Sequence, residues 1–216
     1  MTAPRSRRER PAKPALTREG IVAAAVGIMR ADGLRKVTMR RLAEELDTGP
    51  ASLYVYVRNT AELHAAVLDE LLGTVEPPEA TGDWRERLER VLTSYTFVLF
   101  EHPGLAQAAL TSRPSGRNYL NLLEHLLALL DEGGVPRAQA AWGVDLLLQF
   151  GTATAAEHSE GVQDASGLAD ALNSTRTHPH IAGLATDLLS GDPRARLSWG
   201  FQALINGILH THRSDT

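Results

Sequence analysis

The stretch from residue 38 to residue 60 carries cationic and phenolic side chains on either side of a tight turn. Arg40 and Arg41 stand before the turn, and Tyr54 and Tyr56 follow it. Guanidinium groups bind phosphate oxygens and guanine edges, and a phenol donates hydrogen bonds to phosphate. Presented together on short helices, these side chains have the chemistry that binds the backbone and base edges of duplex DNA.

Two short helices that cross at a turn must position these groups. The pattern predicts helices over residues 38–46 and 49–56, with Ala43 as the small residue where they cross. Asp47 stands where the turn needs a positive φ, which Asp tolerates better than most residues but less well than Gly. Thr48 is expected to cap the second helix. The arrangement is a helix-turn-helix, which makes DNA the expected partner.

The predicted DNA-contacting residues are polar, aromatic or small, so that they can hydrogen-bond or let the helix approach a groove. Arg40 and Arg41 can reach the DNA backbone or a guanine edge, and the alternative for Arg40 is a solvated helix face. For Tyr54 the alternative is a ring packed between helices. The full set is Thr38, Arg40, Arg41, Pro50, Ala51, Ser52, Tyr54, Tyr56, Arg58 and Thr60.

The charge of the chain is divided unevenly along its length. Residues 1–60 hold 12 Lys/Arg and 6 Asp/Glu, and the remaining residues hold 10 and 20, which together give the formal net charge of -4. A basic first quarter on an acidic body is typical of a DNA-binding head joined to a regulatory body, with chance as the alternative. Residues 1–16 are expected to be a disordered basic arm that touches DNA, or a solvated tail.

Composition excludes several other classes. The 216 residues are 43% hydrophobic and contain no cysteine, which rules out disulfides and thiolate metal sites and fits a reducing compartment. No apolar stretch approaches the ~20 residues of a membrane span, and no secretory signal is present, so the cytoplasm is the expected location. The chain shows no GxSxG elbow, phosphate-binding Gly loop or HExxH pattern. We therefore expect no enzyme activity, no metal site and no cofactor.

Apolar residues recur at three- and four-residue spacing along most of the chain, which predicts an all-α fold. Residues 17–60 are expected to form the helix-turn-helix domain. Residues 61–216 are expected to form a helical domain for ligand binding and dimerisation, joined through a linking helix at 60–74. The further predicted helices are 17–32, 84–101, 104–111, 115–132, 136–160, 164–172, 178–190 and 192–210.

Residues 17–72 resemble the DNA-binding domain of the tetracycline-repressor family of transcription regulators. The body is also similar, more weakly, to the tetracycline repressors proper, at Trp84, 111–114 and 150–157. The resemblance implies an all-helical homodimer that binds a palindromic operator and releases it when a small molecule enters the body. It rests on Ala24, Ala25, Gly33, Val37, Thr38, Arg40, Leu42, Ala43, Leu46, Leu53, Tyr54, Val57, Asn59 and Leu63.

Several residues differ from those that contact DNA or metal in the tetracycline repressors, so those contacts are not expected to be the same in this chain. Asp47 fills a turn position that usually holds Gly. Pro50 replaces a DNA-contacting Gln, Tyr56 a His and Thr60 a Lys, so the operator sequence does not transfer. Ala109 stands where that subgroup has a metal-binding His. A magnesium–tetracycline ligand is therefore not expected.

A ligand cavity is expected between the helices near 84–132 and 136–160, and the helices near 136–160 and 192–210 are expected to form the dimer. Core packing is the alternative in both cases. Arg113, beside a helix break, is placed to bind a ligand anion or a partner carboxylate. The sequence thus predicts a ligand-released repressor, and the alternative is a DNA-binding or protein-interaction module without an inducer. The predicted cavity wall is Tyr95, Ala109, Arg113, Pro114, Tyr119, Trp142, Gln149, Phe150 and Glu157.

Overall fold

Helices account for all the regular structure in the part of the chain that the structure describes. The structure is a computed structural model and describes residues 15–158 and 166–212. These residues form eleven α-helices, one 3₁₀ turn and no strand, which confirms the all-α prediction. The predicted basic arm lies outside the described residues as far as residue 14.

Three helices near the amino end share a small apolar core. Each contributes a side chain with 0% exposure, namely Ile21, Leu42 and Leu53. The helices are α1 (Arg18–Asp32), α2 (Met39–Glu45) and α3 (Pro50–Leu53), and a 3₁₀ turn (Leu34–Lys36) follows α1.

The turn between α2 and α3 has the predicted backbone angle and crossing residue, but the helix after it differs from the prediction in its length and its cap. Asp47 has a φ of 47°, as its position predicted, and Ala43 is buried at the crossing. The predicted helix over 49–56 is too long, because α3 ends after one turn. The predicted Thr48 cap is wrong: Gly49 is the N-cap of α3, and no side chain hydrogen-bonds there.

Helix α4 (Thr60–Leu72) links the head to the body, because it packs on α1 on one side and on body helices on the other. Its start is fixed by Asn59, whose Oδ1 accepts a hydrogen bond from the Glu62 amide at 2.8 Å. In a reciprocal cap the Glu62 side chain would bond back to the Asn59 amide, but here that bond is displaced by one residue. The Glu62 carboxylate accepts from the amide of Arg58, also at 2.8 Å.

The body is built around one central helix, α8, which packs against α5, α6, α7 and α11. Helices α9 and α10 pack mainly on each other. No helix within the described ranges is long and apolar enough to cross a membrane. The body helices are α5 (Trp84–Glu101), α6 (Pro103–Ala109), α7 (Arg117–Glu132), α8 (Arg137–Glu157), α9 (Ser166–Ser174), α10 (Pro179–Leu189) and α11 (Pro193–His210).

Close approach of α8 and α11 depends on a glycine. A Cβ on Gly200 would lie 2.3 Å from the ring of Phe150, well inside van der Waals contact. The Phe150 ring meets Phe201 edge to face, with centroids 5.2 Å apart. This contact fixes which face of α8 points toward α11 and therefore which face is left for a cavity.

Candidate nucleic-acid interface and ligand cavity

The head presents the predicted DNA-contacting residues on its surface. Tyr54 is 53% exposed, which favours a surface role over packing between helices. Tyr56 and Thr60 are half-buried, and Tyr56 packs against the core of the head. The exposed members are Thr38, Arg40, Arg41, Pro50, Ala51, Ser52, Tyr54 and Arg58.

Each of the three predicted DNA-contacting arginines pairs with a glutamate four residues later along the chain. Exposed pairs of this kind contribute little stability, on the order of 0.3–0.5 kcal/mol on a helix. Each pair keeps its guanidinium group in solvent, where a phosphate can reach it. The pairs are Arg40–Glu44 at 3.1 Å, Arg41–Glu45 at 3.4 Å and Arg58–Glu62 at 3.0 Å.

Local hydrogen bonds fix the starts of α2 and α4. The Oγ1 of Thr38 accepts from the amide of Arg41 at 3.2 Å, so Thr38 is the N-cap of α2. The bond from the Arg58 backbone amide holds the pKa of Glu62 below its usual value, and the Arg58 guanidinium acts in the same direction. Both helix starts therefore keep their exposed arginines in a defined place.

A cavity of about 400 Å³ opens in the body where α5, α7 and α8 meet the end of α6. Six of the nine predicted wall residues line it: Tyr95, Ala109, Arg113, Pro114, Tyr119 and Gln149. The remaining lining residues are Leu110, Asp145, Leu148, Thr152 and Ala153.

Three predicted wall residues lie elsewhere. Trp142 is 61% exposed on α8, two turns before Gln149, and does not line this cavity. Phe150 packs into the contact between α8 and α11, against Phe201. Glu157 is exposed at the end of α8. The structure therefore does not bring these three residues together with the other six.

Sequence reasoning predicted Gln149 but missed two other polar residues that α8 contributes, Asp145 and Thr152. Asp145 and Thr152 flank Gln149 at spacings of four and three residues, so the three lie on neighbouring parts of one helix face. The signal was present in that spacing. The prediction chose the aromatic residues Trp142 and Phe150 of the same helix instead.

Tyr95 and Thr152 form a directed hydrogen-bond chain at the buried end of the cavity. The Oγ1 of Thr152 donates to the carbonyl of Leu148 at 2.7 Å, so its only proton is used. The Tyr95 hydroxyl, 2.6 Å from Thr152 Oγ1, must then be the donor of that bond. Burial raises the pKa of Tyr95 to about 12. Toward the cavity the neutral phenol therefore offers its oxygen as an acceptor.

The open end of the cavity is charged. Arg113 forms an ion pair with Asp145, and Asp145 also accepts a hydrogen bond from the side-chain amide of Gln149. The hydrogen bond with Asp145 raises the pKa of Arg113, and burial raises the pKa of Tyr119. Arg113 also lines a second space of about 640 Å³ between α1, α4 and the loop after α6. It thus lies between the cavity and the head.

This combination of a helix-turn-helix head and a helical body with an internal cavity defines the class of one-component transcription regulators. Residues 21–67 match the bacterial regulatory proteins of the tetR family, and residues 76–212 match the tetracyclin repressor-like C-terminal domain. The chain belongs to the tetracycline-repressor family, as its sequence indicated, and is a ligand-responsive DNA-binding transcription regulator.

Relatives from actinomycetes extend this likeness over nearly the whole chain. An HTH-type transcriptional regulator of Saccharopolyspora erythraea is 32% identical over 92% of this chain and 87% of its own length. The crystal structure of the transcription regulator SCO7704 of Streptomyces is similar at 59% identity and a TM-score of 0.83, covering 94% of this chain and 100% of that one. ActR of Streptomyces coelicolor in complex with actinorhodin has 38% identity and a TM-score of 0.78, covering 91% and 96%.

Proposed function

We propose that this protein represses transcription by binding a palindromic operator as a homodimer in the cytoplasm and is released when a small molecule enters the 400 Å³ cavity. The observation that carries the proposal is the exposed face of the head. There the left-handed Asp47 turn sets a one-turn helix beside α2, with Arg40 and Tyr54 both in solvent. The head comprises residues 17–60, α4 is the link, and residues 61–216 form the body.

On the DNA, α3 enters the major groove and α2 lies across it. Pro50, Ala51 and Ser52 are short, exposed side chains, so the backbone of α3 can approach the base edges closely. Arg40 is assigned to a base edge, because it lies on α2, which packs on α3, and its side chain is 88% exposed, so it can enter the groove beside α3. The remaining contacts go to phosphates and set the register: Thr38, Arg41, Tyr54, Tyr56, Arg58 and Thr60.

A two-fold dimer would present two such heads to the two halves of the operator. Helices α8 and α11 carry large apolar side chains that the single chain leaves in solvent. Trp142 and Leu146 on α8 are 61% and 45% exposed, and Trp199 on α11 is 73% exposed. Burying such side chains is favourable at roughly 25 cal/mol per Å² of apolar surface. This supports α8 and α11 as the dimer interface.

The cavity indicates the chemistry of its ligand. Its inner end offers the hydroxyl oxygen of Tyr95 as an acceptor, so a hydroxyl or amine donor on the ligand fits there. Its outer end offers the cationic Arg113, already balanced by Asp145. An apolar ring system with a donor at one end and an acidic or carbonyl group at the other matches both ends. Because ActR binds actinorhodin, that compound is the natural first probe.

Release follows if the ligand prefers a body conformation in which the two heads are wrongly spaced for the operator. The coupling free energy is the difference between the ligand's affinities for the two conformations. No contact between ligand and DNA is needed. The linking helix α4 is the element that must carry the difference, since it packs on both parts.

The test is a gel-shift titration of the full chain with the DNA upstream of its own gene. We expect retention that is sequence-specific, falls as salt rises, and is reversed by actinorhodin or by an extract of the organism that contains the natural ligand. Scrambled DNA of equal length is the control. Equal retention of both DNAs at every salt concentration would contradict the proposal.

A further inference from the structure

The end of the linking helix and the start of α7 cap each other. The Oδ1 of Asp69, in the last turn of α4, accepts a hydrogen bond from the amide of Tyr119 at 2.9 Å. In return, the side-chain amide of Asn118, in the first turn of α7, donates to the backbone carbonyl of Asp69 at 2.8 Å. Each helix thus supplies the other with a hydrogen-bonding group that its own end lacks.

Helix ends need such partners, because the first amides and last carbonyls of a helix have no partner within it. The N-cap of α7 is Gly116, which has no side chain to accept from those amides. The Asp69 carboxylate takes that place from another helix, and its negative charge is favoured at the positive end of α7. The contact therefore replaces a local cap by a bond that crosses from the link to the body.

The glycine at position 116 is required by this contact rather than by its backbone angles. Its φ is -84°, which any residue adopts. A Cβ there would lie 2.0 Å from the Asp69 Oδ2 and 2.3 Å from its Cγ, far inside contact distance. At position 116, glycine is therefore the residue type that leaves room for the Asp69 carboxylate at the start of α7.

The same few residues also border the ligand cavity. Tyr119 lines the cavity while its backbone amide holds Asp69. Arg113 and Pro114, in the segment between α6 and α7, line the cavity as well, and Arg113 is tied to Asp145 of α8. A molecule that engages Arg113 or Tyr119 consequently acts on the segment that grips the linking helix.

We infer that Asp69 is the positioning residue through which the cavity controls the linking helix. When Arg113 is drawn away from Asp145, the start of α7 shifts, the bond from Tyr119 to Asp69 is lost, and the last turns of α4 are freed. The inference rests on the proposed function, since it names the contact by which that function's ligand acts. It assigns Asp69 no contact with ligand or DNA.

The test replaces the unidentified ligand by a change within the cavity. Asp145→Asn removes the carboxylate charge that holds Arg113. We expect it to raise hydrogen exchange in the last two turns of α4 roughly fivefold, the scale of losing one helix cap. In an Asp69→Ala background the same substitution should raise exchange no further. Asp69→Asn keeps an acceptor oxygen for the Tyr119 amide, so in that background Asp145→Asn should again raise exchange in α4. Glu70→Ala, which removes an exposed acid on the same helix, is the control, and in that background Asp145→Asn should raise exchange as much as in the unaltered chain.

A second pair of variants tests the contact itself. Gly116→Ala should free α4 as Asp69→Ala does, and in the double variant the alanine at 116 should have no further effect, because the carboxylate it meets is gone. The inference would be overturned if Asp145→Asn raised exchange in α4 equally with and without Asp69, which is the result expected if Asp69 is merely structural. It would also be overturned if Asp145→Asn did not raise exchange in the otherwise unaltered chain.

Operator binding separates this inference from the proposed function. If the chain never retains its own promoter but exchange in α4 responds through Asp69, the proposed function fails and the coupling stands. If the promoter is retained and α4 responds equally without Asp69, the repressor stands and the coupling through Asp69 fails.

Discussion

The Nε of Arg40 lies 3.1 Å from the Oε1 of Glu44, one turn further along α2, and both side chains are largely exposed. The pair places the cation that we assign to base reading beside a fixed anion. Any DNA contact by Arg40 must therefore compete with Glu44.

Removing the cation should affect operator DNA more than other DNA. Arg40→Ala is expected to weaken binding to the operator by about 1–3 kcal/mol if the guanidinium contacts a base, with a smaller loss on scrambled DNA. Fluorescence anisotropy titrations at one fixed salt concentration measure both. Arg35→Ala, an exposed cation outside the predicted contact set, is the control. An equal loss on both DNAs would mean that Arg40 touches only phosphate.

Removing the anion should have the opposite effect. Glu44→Gln frees Arg40 and removes a charge that repels the DNA backbone, so affinity for scrambled DNA is expected to rise about two- to fivefold. Affinity for the operator should rise less, so the ratio of operator affinity to scrambled-DNA affinity should fall. Glu19→Gln on α1 provides a charge-matched control. A rise of the same size on both DNAs would show that Glu44 has no influence on discrimination.

The buried Tyr95 predicts a specific dependence of stability on high pH. Its pKa in the folded chain is about 12 and in the unfolded chain about 10, so the unfolded state loses its proton first. The contribution is intact below pH 10 and is lost as the pH rises toward 12, by about 1 kcal/mol at pH 11. Tyr95→Phe should remove this slope in chemical denaturation. The exposed Tyr54→Phe should retain it, and identical slopes in both variants would contradict the assignment.

The contact between Gly200 and Phe150 predicts opposite outcomes for two glycine-to-alanine substitutions. Gly200→Ala forces the Phe150 ring to move and is expected to destabilise the fold by about 1–3 kcal/mol. Gly27→Ala, on the exposed side of α1 with nothing within 4 Å, should stabilise it by about 0.5–1 kcal/mol. Denaturant unfolding at one protein concentration measures both. A neutral Gly200→Ala would show that α11 is free to shift.

The exposed tryptophans predict the behaviour of the dimer. Trp199→Glu and Trp142→Glu place a charge in the proposed interface and should convert a dimer into a monomer at micromolar concentration. Analytical ultracentrifugation measures the change. Leu120→Glu, at a similarly exposed apolar position on α7, should leave the dimer intact. A monomeric unaltered chain would refute the proposed assembly.

Local signals made most of the head predictable. The left-handed turn at Asp47 and the cap by Asn59 depend on residues within four positions of each other, so the sequence alone carries them. The length of α3 was overestimated because Tyr54 and Tyr56 continue a helical pattern, although the chain leaves the helix after Leu53. Periodicity does not reveal where a short helix ends.

Contacts between distant segments were not predictable in the same way. The packing of Phe150 against α11 takes that ring away from the cavity, and Trp142 lies two turns before Gln149, beyond the residues that line the cavity. Likewise, the glycine at position 116 reads as an ordinary helix breaker until Asp69 is found beside it. Such partners are far apart along the chain, and only the folded structure brings them together.

The shortness of α3 has a consequence for how this regulator can diverge. Leu53 alone anchors that single turn in the core, while Pro50, Ala51 and Ser52 touch little of the protein. If those three positions contact the operator as proposed, substitutions there can change the promoter that is recognised and leave the core of the head intact. Duplicated copies of such a gene have an open evolutionary route to new target sites while they inherit the same sensor.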